Sequence, residues 1–150
     1  MQELTIRTVS VIDYIMHMDE PFRDRFLERM KAYSLKEDVG EELKKYVDEI
    51  FVVVFSAGWC KDCVATVPVL ALLAQKIGLK VMVFGGLKKD NFNRNEIWRI
   101  PPSPPEVREF EVEEIQHITI FHVTSPELGR IIEKPASGKK MEEEILQLVK

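Results

Sequence analysis

FVVVFSAGWCKDCVATVPVLALLAQKIGLKVMVF, residues 51 to 84, is the stretch on which the reading of this chain turns. Phe51 to Phe55 is an unbroken run of β-branched and aromatic residues, the pattern of a strand buried on both faces. Ser56 to Trp59 forms a short loop. From Cys60 onward Val64, Val67, Leu70, Ala71, Ala74 and Ile77 recur at helical spacing until Gly78 stops them. Pro68 falls inside that helix; it removes a ladder hydrogen bond and crowds the preceding turn, so a kink is expected there. Lys80 to Phe84 reads as a second strand, closed by Gly85 and Gly86. Strand, helix and strand in this span make a βαβ unit, and both cysteines of the chain, Cys60 and Cys63, stand at the head of its helix.

On the N-terminal side the periodicity is helical. Val11, Ile12, Ile15 and Met16 predict one amphipathic helix; Phe22, Phe26, Leu27, Met30 and Tyr33 predict a second, with Pro21 in its first turn, where a missing N–H costs little. Val39, Leu43, Tyr46 and Val47 share a face of a third helix over 37 to 49. The stripe of Phe22, Phe26 and Met30 reads first as packing on its own domain and second as a partner surface. Beyond the βαβ unit, prolines at 101, 102, 104 and 105 exclude a central strand, and a short helix is expected to open at Pro104 or Pro105. Ile118 to Val123 reads as a strand, Ser125 to Gly129 as a turn, Arg130 to Glu133 as a pairing strand, and Met141, Ile145, Leu148 and Val149 as one face of a final helix.

A chain of 150 residues with 45% hydrophobic content is long enough to bury a sizeable core. Its formal net charge of −4 provides no global attraction to nucleic acid or to an anionic membrane. The acidity sits in the first 50 residues, which hold 8 basic and 12 acidic side chains. No basic, apolar leader opens the sequence, and no apolar run approaches the roughly 18 residues of a membrane span. Gly85 and Gly86 with Lys88 and Lys89 lack the spacing of a phosphate-binding loop and read as a turn. These features point to a cytoplasmic protein, where a permanent disulfide is disfavoured and a CxxC pair is catalytic or metal-binding rather than structural.

The chemistry of such a pair follows from its position. A thiol at a helix N-terminus faces the positive end of the helix dipole and unpaired N–H groups, both of which favour the thiolate. Cys60 is therefore the expected nucleophile. Cys63, most of a turn further on, is placed to attack a mixed disulfide formed on Cys60 and so to resolve it. Lys61 supports the thiolate and Asp62 opposes it.

WCKDC at residues 59 to 63, after a buried strand and followed by Pro68, resembles the active site of the thioredoxin superfamily. FEVEEIQHITIF (110 to 121) is similar to the segment that enters the family's fourth strand, and GRIIEKPASG with the last helix to its final hairpin and helix. The resemblance covers about residues 48 to 150 and implies a three-layer α/β/α thioredoxin-like fold with a mixed central sheet. It also implies thiol/disulfide oxidoreductase activity through Cys60 and Cys63, with Trp59, Lys61 and Asp62 in support and no organic cofactor. Protein or small-molecule disulfides are the implied substrates and an external thiol the reductant. Residues 1 to 47 are then an N-terminal helical extension, and about 85 to 103 an insertion. Two positions depart from the family pattern. Val54 stands where many members carry a buried acid, and Gln116, followed by His117, stands where the family has a cis-proline. A cis bond before a non-proline costs about 2.5 to 4 kcal/mol, so the 115/116 peptide is expected to be trans.

His117 opens a second possibility. Facing the motif, it would serve as a base for the thiols or, with Cys60 and Cys63, as one of three metal ligands; otherwise it is an ordinary strand residue. His122, five residues on, faces the other side of a regular strand. The alternative to an enzyme is thus a redox-silent or metal-holding (zinc or iron–sulfur) binding module on the same scaffold.

Overall fold

The computed structural model describes residues 9–58, 60–85, 117–123, 127–132 and 140–149. In chain order the elements are β1 (Val9–Ser10), α1 (Val11–Met16), α2 (Phe22–Ala32), α3 (Glu37–Lys44), β2 (Ile50–Phe55), α4 (Lys61–Ile77), β3 (Val81–Phe84), β4 (His117–His122), β5 (Glu127–Ile132) and α5 (Met141–Val149). Trp59, Gln116, the expected insertion beyond Gly85 and the proline-rich segment lie outside the described residues.

All six residues of β2 are buried, as the unbroken apolar run requires of a strand with neighbours on both edges. The sheet has the order β1-β3-β2-β4-β5. β2 runs parallel to β3, with Val52 opposite Val81 and Phe55 opposite Phe84, and antiparallel to β4, with Phe55 opposite His117. The mixed sheet and the α/β class are those expected from the sequence. α4 connects the parallel pair, beginning at Cys60 and ending at Gly78, whose φ of 77° is the left-handed conformation that favours glycine. Pro68 lies within α4 and is buried; lacking an N–H, it cannot donate to the Val64 carbonyl. No described helix is long and apolar enough to cross a membrane.

Three boundaries differ from expectation. α3 stops at Lys44 rather than 49, because the chain tightens into i→i−3 bonds from Lys45 to Glu42, Tyr46 to Leu43 and Glu49 to Tyr46 as it swings into β2. β5 begins at Glu127, inside the expected turn. Ile120 pairs with Gly129 but Phe121 with Glu127, so a bulge absorbs Leu128 and starts the strand early. Pro21 precedes α2 as its cap instead of lying in its first turn. β1 was not anticipated at all: two residues pair antiparallel with Met82 and Val83 at the sheet edge.

The N-terminal helices are built into the main core. Val11, Ile15, Phe26 and Leu43 belong to one buried cluster with the strands, with Val67, Leu70 and Leu73 of α4, and with Met141 and Ile145 of α5. The expected apolar face of α2 therefore packs on its own chain through the fully buried Phe26. At the opposite end a wholly buried carboxylate ties α5 down: Glu142 accepts from the Tyr33 hydroxyl at 2.6 Å and from the Lys36 backbone N–H at 2.8 Å. Lys140 adds a bond from its ammonium to the Ser34 carbonyl at 2.7 Å.

Candidate functional site

The site is assembled where β2 hands over to α4. Ser56 extends the parallel ladder by one bond, its N–H donating to the Phe84 carbonyl at 3.1 Å, and the chain then turns back so that the Cys60 N–H reaches the Ala57 carbonyl at 3.2 Å. That turn presents Cys60 as the N-cap of α4. Its sulfur takes the place of the usual capping oxygen and accepts the Cys63 backbone N–H at 3.3 Å. Both cysteines are buried and carry no disulfide.

The two thiols are driven apart in acidity. The Cys60 thiol falls to about 7, first because the Cys63 thiol hydrogen-bonds to it and then because the backbone N–H groups of Cys63 and Asp62 do so; burial and the Asp62 charge work against this. Cys63 moves the other way. Burial pushes its thiol far up, and so does the hydrogen bond it gives to the Cys60 thiolate, whereas Ser56 and the Ala57 backbone pull it down. Of the two, Cys60 is the one that ionises first and Cys63 the one held as a thiol. Asp62 acts in the expected sense; Lys61 is exposed.

Two hydroxyls complete the cluster, and the sequence did not single out either. Ser56 is fully buried, and its hydroxyl acts to lower the Cys63 thiol. The Tyr14 hydroxyl, from α1, donates to Ser56 Oγ at 3.1 Å. Burial pushes the Tyr14 phenol up to about 12, and the nearby thiols add to the rise, so it stays a donor throughout the neutral range. Two glycines let α1 and α2 come this close. A Cβ on Gly85 would stand 2.9 Å from Tyr14 Cε1, and one on Gly58 would stand 2.9 Å from Phe22 Cγ. The signal for Ser56 was present: a single hydroxyl closes an otherwise apolar strand. Tyr14 carried none beyond its place beside Ile15 on the inward side of a helix.

Val54, where the resemblance puts an acid, is fully buried and paired with Ile118. His117 is 1% exposed; its Nε2 lies 3.0 Å from Thr119 Oγ1 and its ring stands edge-on to Phe55. Strand alternation puts Phe55 and His117 on one face of the sheet and Val54, continued by Ser56, on the other. The imidazole contacts Thr119 and Phe55 on that face. Among the described residues no group of three His, Cys, Asp or Glu side chains could hold a metal ion. His122 pairs opposite Ile50, at the far end of β4.

A family model described as Thioredoxin matches residues 8–100, a span that takes in the N-terminal helices as well as the CxxC pair. Two solved structures are similar to the chain. A protein of unknown function from Pseudomonas aeruginosa is 13% identical with a TM-score of 0.65, over 91% of this chain and 78% of its own. An HIV epitope-scaffold is also 13% identical with a TM-score of 0.65, over 99% and 87%. At that identity the likeness shows the fold alone. No curated protein matches the chain.

Proposed function

Because the chain belongs to the thioredoxin family, we propose that it is a thiol/disulfide oxidoreductase that reduces disulfides through the Cys60/Cys63 dithiol. The observation that carries this reading is the split between the two thiols: Cys60 ionises near neutrality, at about 7, while its neighbour is held as a thiol. The Cys60 thiolate attacks one sulfur of a substrate disulfide, forming a mixed disulfide and expelling the other substrate sulfur as a thiolate. Cys63 then gives up its proton and attacks Cys60 Sγ, forming the internal disulfide. The second substrate sulfur leaves and takes a proton to become a thiol. Two electrons pass from the dithiol to the substrate, and an external thiol returns the protein to its starting state.

Protein or small-molecule disulfides are the substrate class, and a reducing compartment such as the cytoplasm is the fitting setting. The modest depression of Cys60 favours reductant over oxidant, since strongly oxidising dithiols stabilise their thiolate far more. The test is the fraction of internal disulfide in protein equilibrated across defined thiol redox buffers. A single reversible two-electron transition with a midpoint at or below about −220 mV is expected. Absence of any internal disulfide across the range would defeat the proposal.

A further inference from the structure

The dithiol state and the mixed-disulfide state make different demands on Cys63. In the first, it lies against the Cys60 sulfur, to which its backbone N–H donates at 3.3 Å. Once Cys60 is bonded to substrate, that sulfur no longer carries the charge that accepted this bond, and Cys63 must itself become the thiolate in a fully buried position. An unsolvated thiolate is costly unless donors converge on it. Val54 supplies no charge or hydrogen bond. A fully buried hydroxyl that acts on Cys63 is that of Ser56, and behind Ser56, at 3.1 Å, stands the Tyr14 hydroxyl.

Resting on the disulfide-exchange reading above, we propose that Ser56 and Tyr14 are positioning residues for the second half-reaction, a two-hydroxyl relay that stabilises the Cys63 thiolate as it attacks Cys60. Ser56 donates its proton toward the Cys63 sulfur as charge develops there. Tyr14 donates to Ser56 Oγ, which polarises the serine and orients its hydroxyl toward sulfur rather than away from it. Neither hydroxyl is consumed. The proton released by Cys63 ends on the departing substrate sulfur, and one S–S bond forms as another breaks. The relay also assigns a task to α1: it brings a phenol from 42 residues away to the buried side of the dithiol.

The test separates the two half-reactions in the full chain. Reduced protein is mixed with an aromatic disulfide whose released thiol is coloured; acid quenching and mass spectrometry then follow the mixed disulfide on Cys60. In Ser56→Ala its lifetime is expected to lengthen by about tenfold to a hundredfold, the range for losing a hydrogen bond to a charged group, and in Tyr14→Phe by about threefold to tenfold. The first release of coloured thiol should change by less than about threefold in both. Ser56→Thr, which keeps the hydroxyl, should return the lifetime to within about threefold of the natural chain. The proposal is overturned if both hydroxyl deletions resolve at the natural rate, or if Ser56→Thr is as slow as Ser56→Ala, which would make the effect one of packing. A natural chain that releases coloured thiol but never forms the internal disulfide overturns it as well. One that releases none defeats the oxidoreductase reading itself, and the relay with it.

Discussion

A sulfur accepts hydrogen bonds weakly as a thiol and well as a thiolate, so the Cys63 amide 3.3 Å from Cys60 Sγ acts selectively on the ionised form. The same selectivity gives the site a readable pH dependence. Only the thiolate is alkylated, and the Cys60 thiol sits at about 7. The rate of iodoacetamide labelling at Cys60 should therefore climb with pH through 7 and level off above about 8, where a free thiol of pKa about 8.5 would still be climbing. Asp62→Asn removes a charge that raises the Cys60 thiol, so its midpoint should move lower; an unmoved or higher midpoint would refute the electrostatic account. Cys63, held protonated by burial, should stay unlabelled across the same range, as peptide mapping would show. Cys60 and Cys63 were legible in the sequence because their chemistry is local: spacing, a strand before and a helix after suffice. Ser56 left only the trace of one hydroxyl at the end of an apolar strand, and its pairing with Tyr14 left none, because that contact closes across 42 residues and depends on how α1 lies against the sheet.

Apolar periodicity predicted α1, α2, α4, β2, β3, β4 and α5 because burial of one face, or of both for β2, is written in residue spacing. Where polar contacts rather than apolar spacing fix the chain, the sequence was silent. β1 is two residues held by edge pairing, the early start of β5 is set by a bulge, and the C-terminal helix is anchored by a glutamate that looks like an ordinary surface residue of a helix first turn. That glutamate supports a prediction at the level of elements. Glu142→Gln leaves either the Tyr33 hydroxyl or the Lys36 N–H facing an amide NH2 in a fully buried position. Loss of about 2 kcal/mol or more is expected in urea unfolding, since the bond lost is one to a charged acceptor. A loss under about 0.5 kcal/mol would mean that the carboxylate does not hold α5 to the loop between α2 and α3.

For the molecule as a whole, the helices before residue 48 are wall as well as extension. Phe26 is fully buried in the common cluster and meets Tyr14 edge to face, with ring centroids 6.3 Å apart. Arg29 reaches from α2 to the Ala65 carbonyl of α4 at 3.0 Å. Phe26→Ala should accordingly reduce the stability of the entire chain by about 3 to 5 kcal/mol, in one cooperative transition monitored by both circular dichroism and tryptophan fluorescence. Two separated transitions, or a loss under about 1 kcal/mol, would show instead that the helices are a detachable layer.

The sulfur that caps α4 has a consequence for the backbone. Cys60 Sγ is a good acceptor for the Cys63 amide only while it keeps its charge, and bonding to another sulfur, whether of a substrate or of Cys63, removes that charge. Each turnover would then loosen and refasten the first turn of a 17-residue helix. Deuterium uptake at that one amide, faster in the oxidised chain than in the reduced one, becomes an isotopic clock of the redox state, carried by the protein without dye, label or added enzyme.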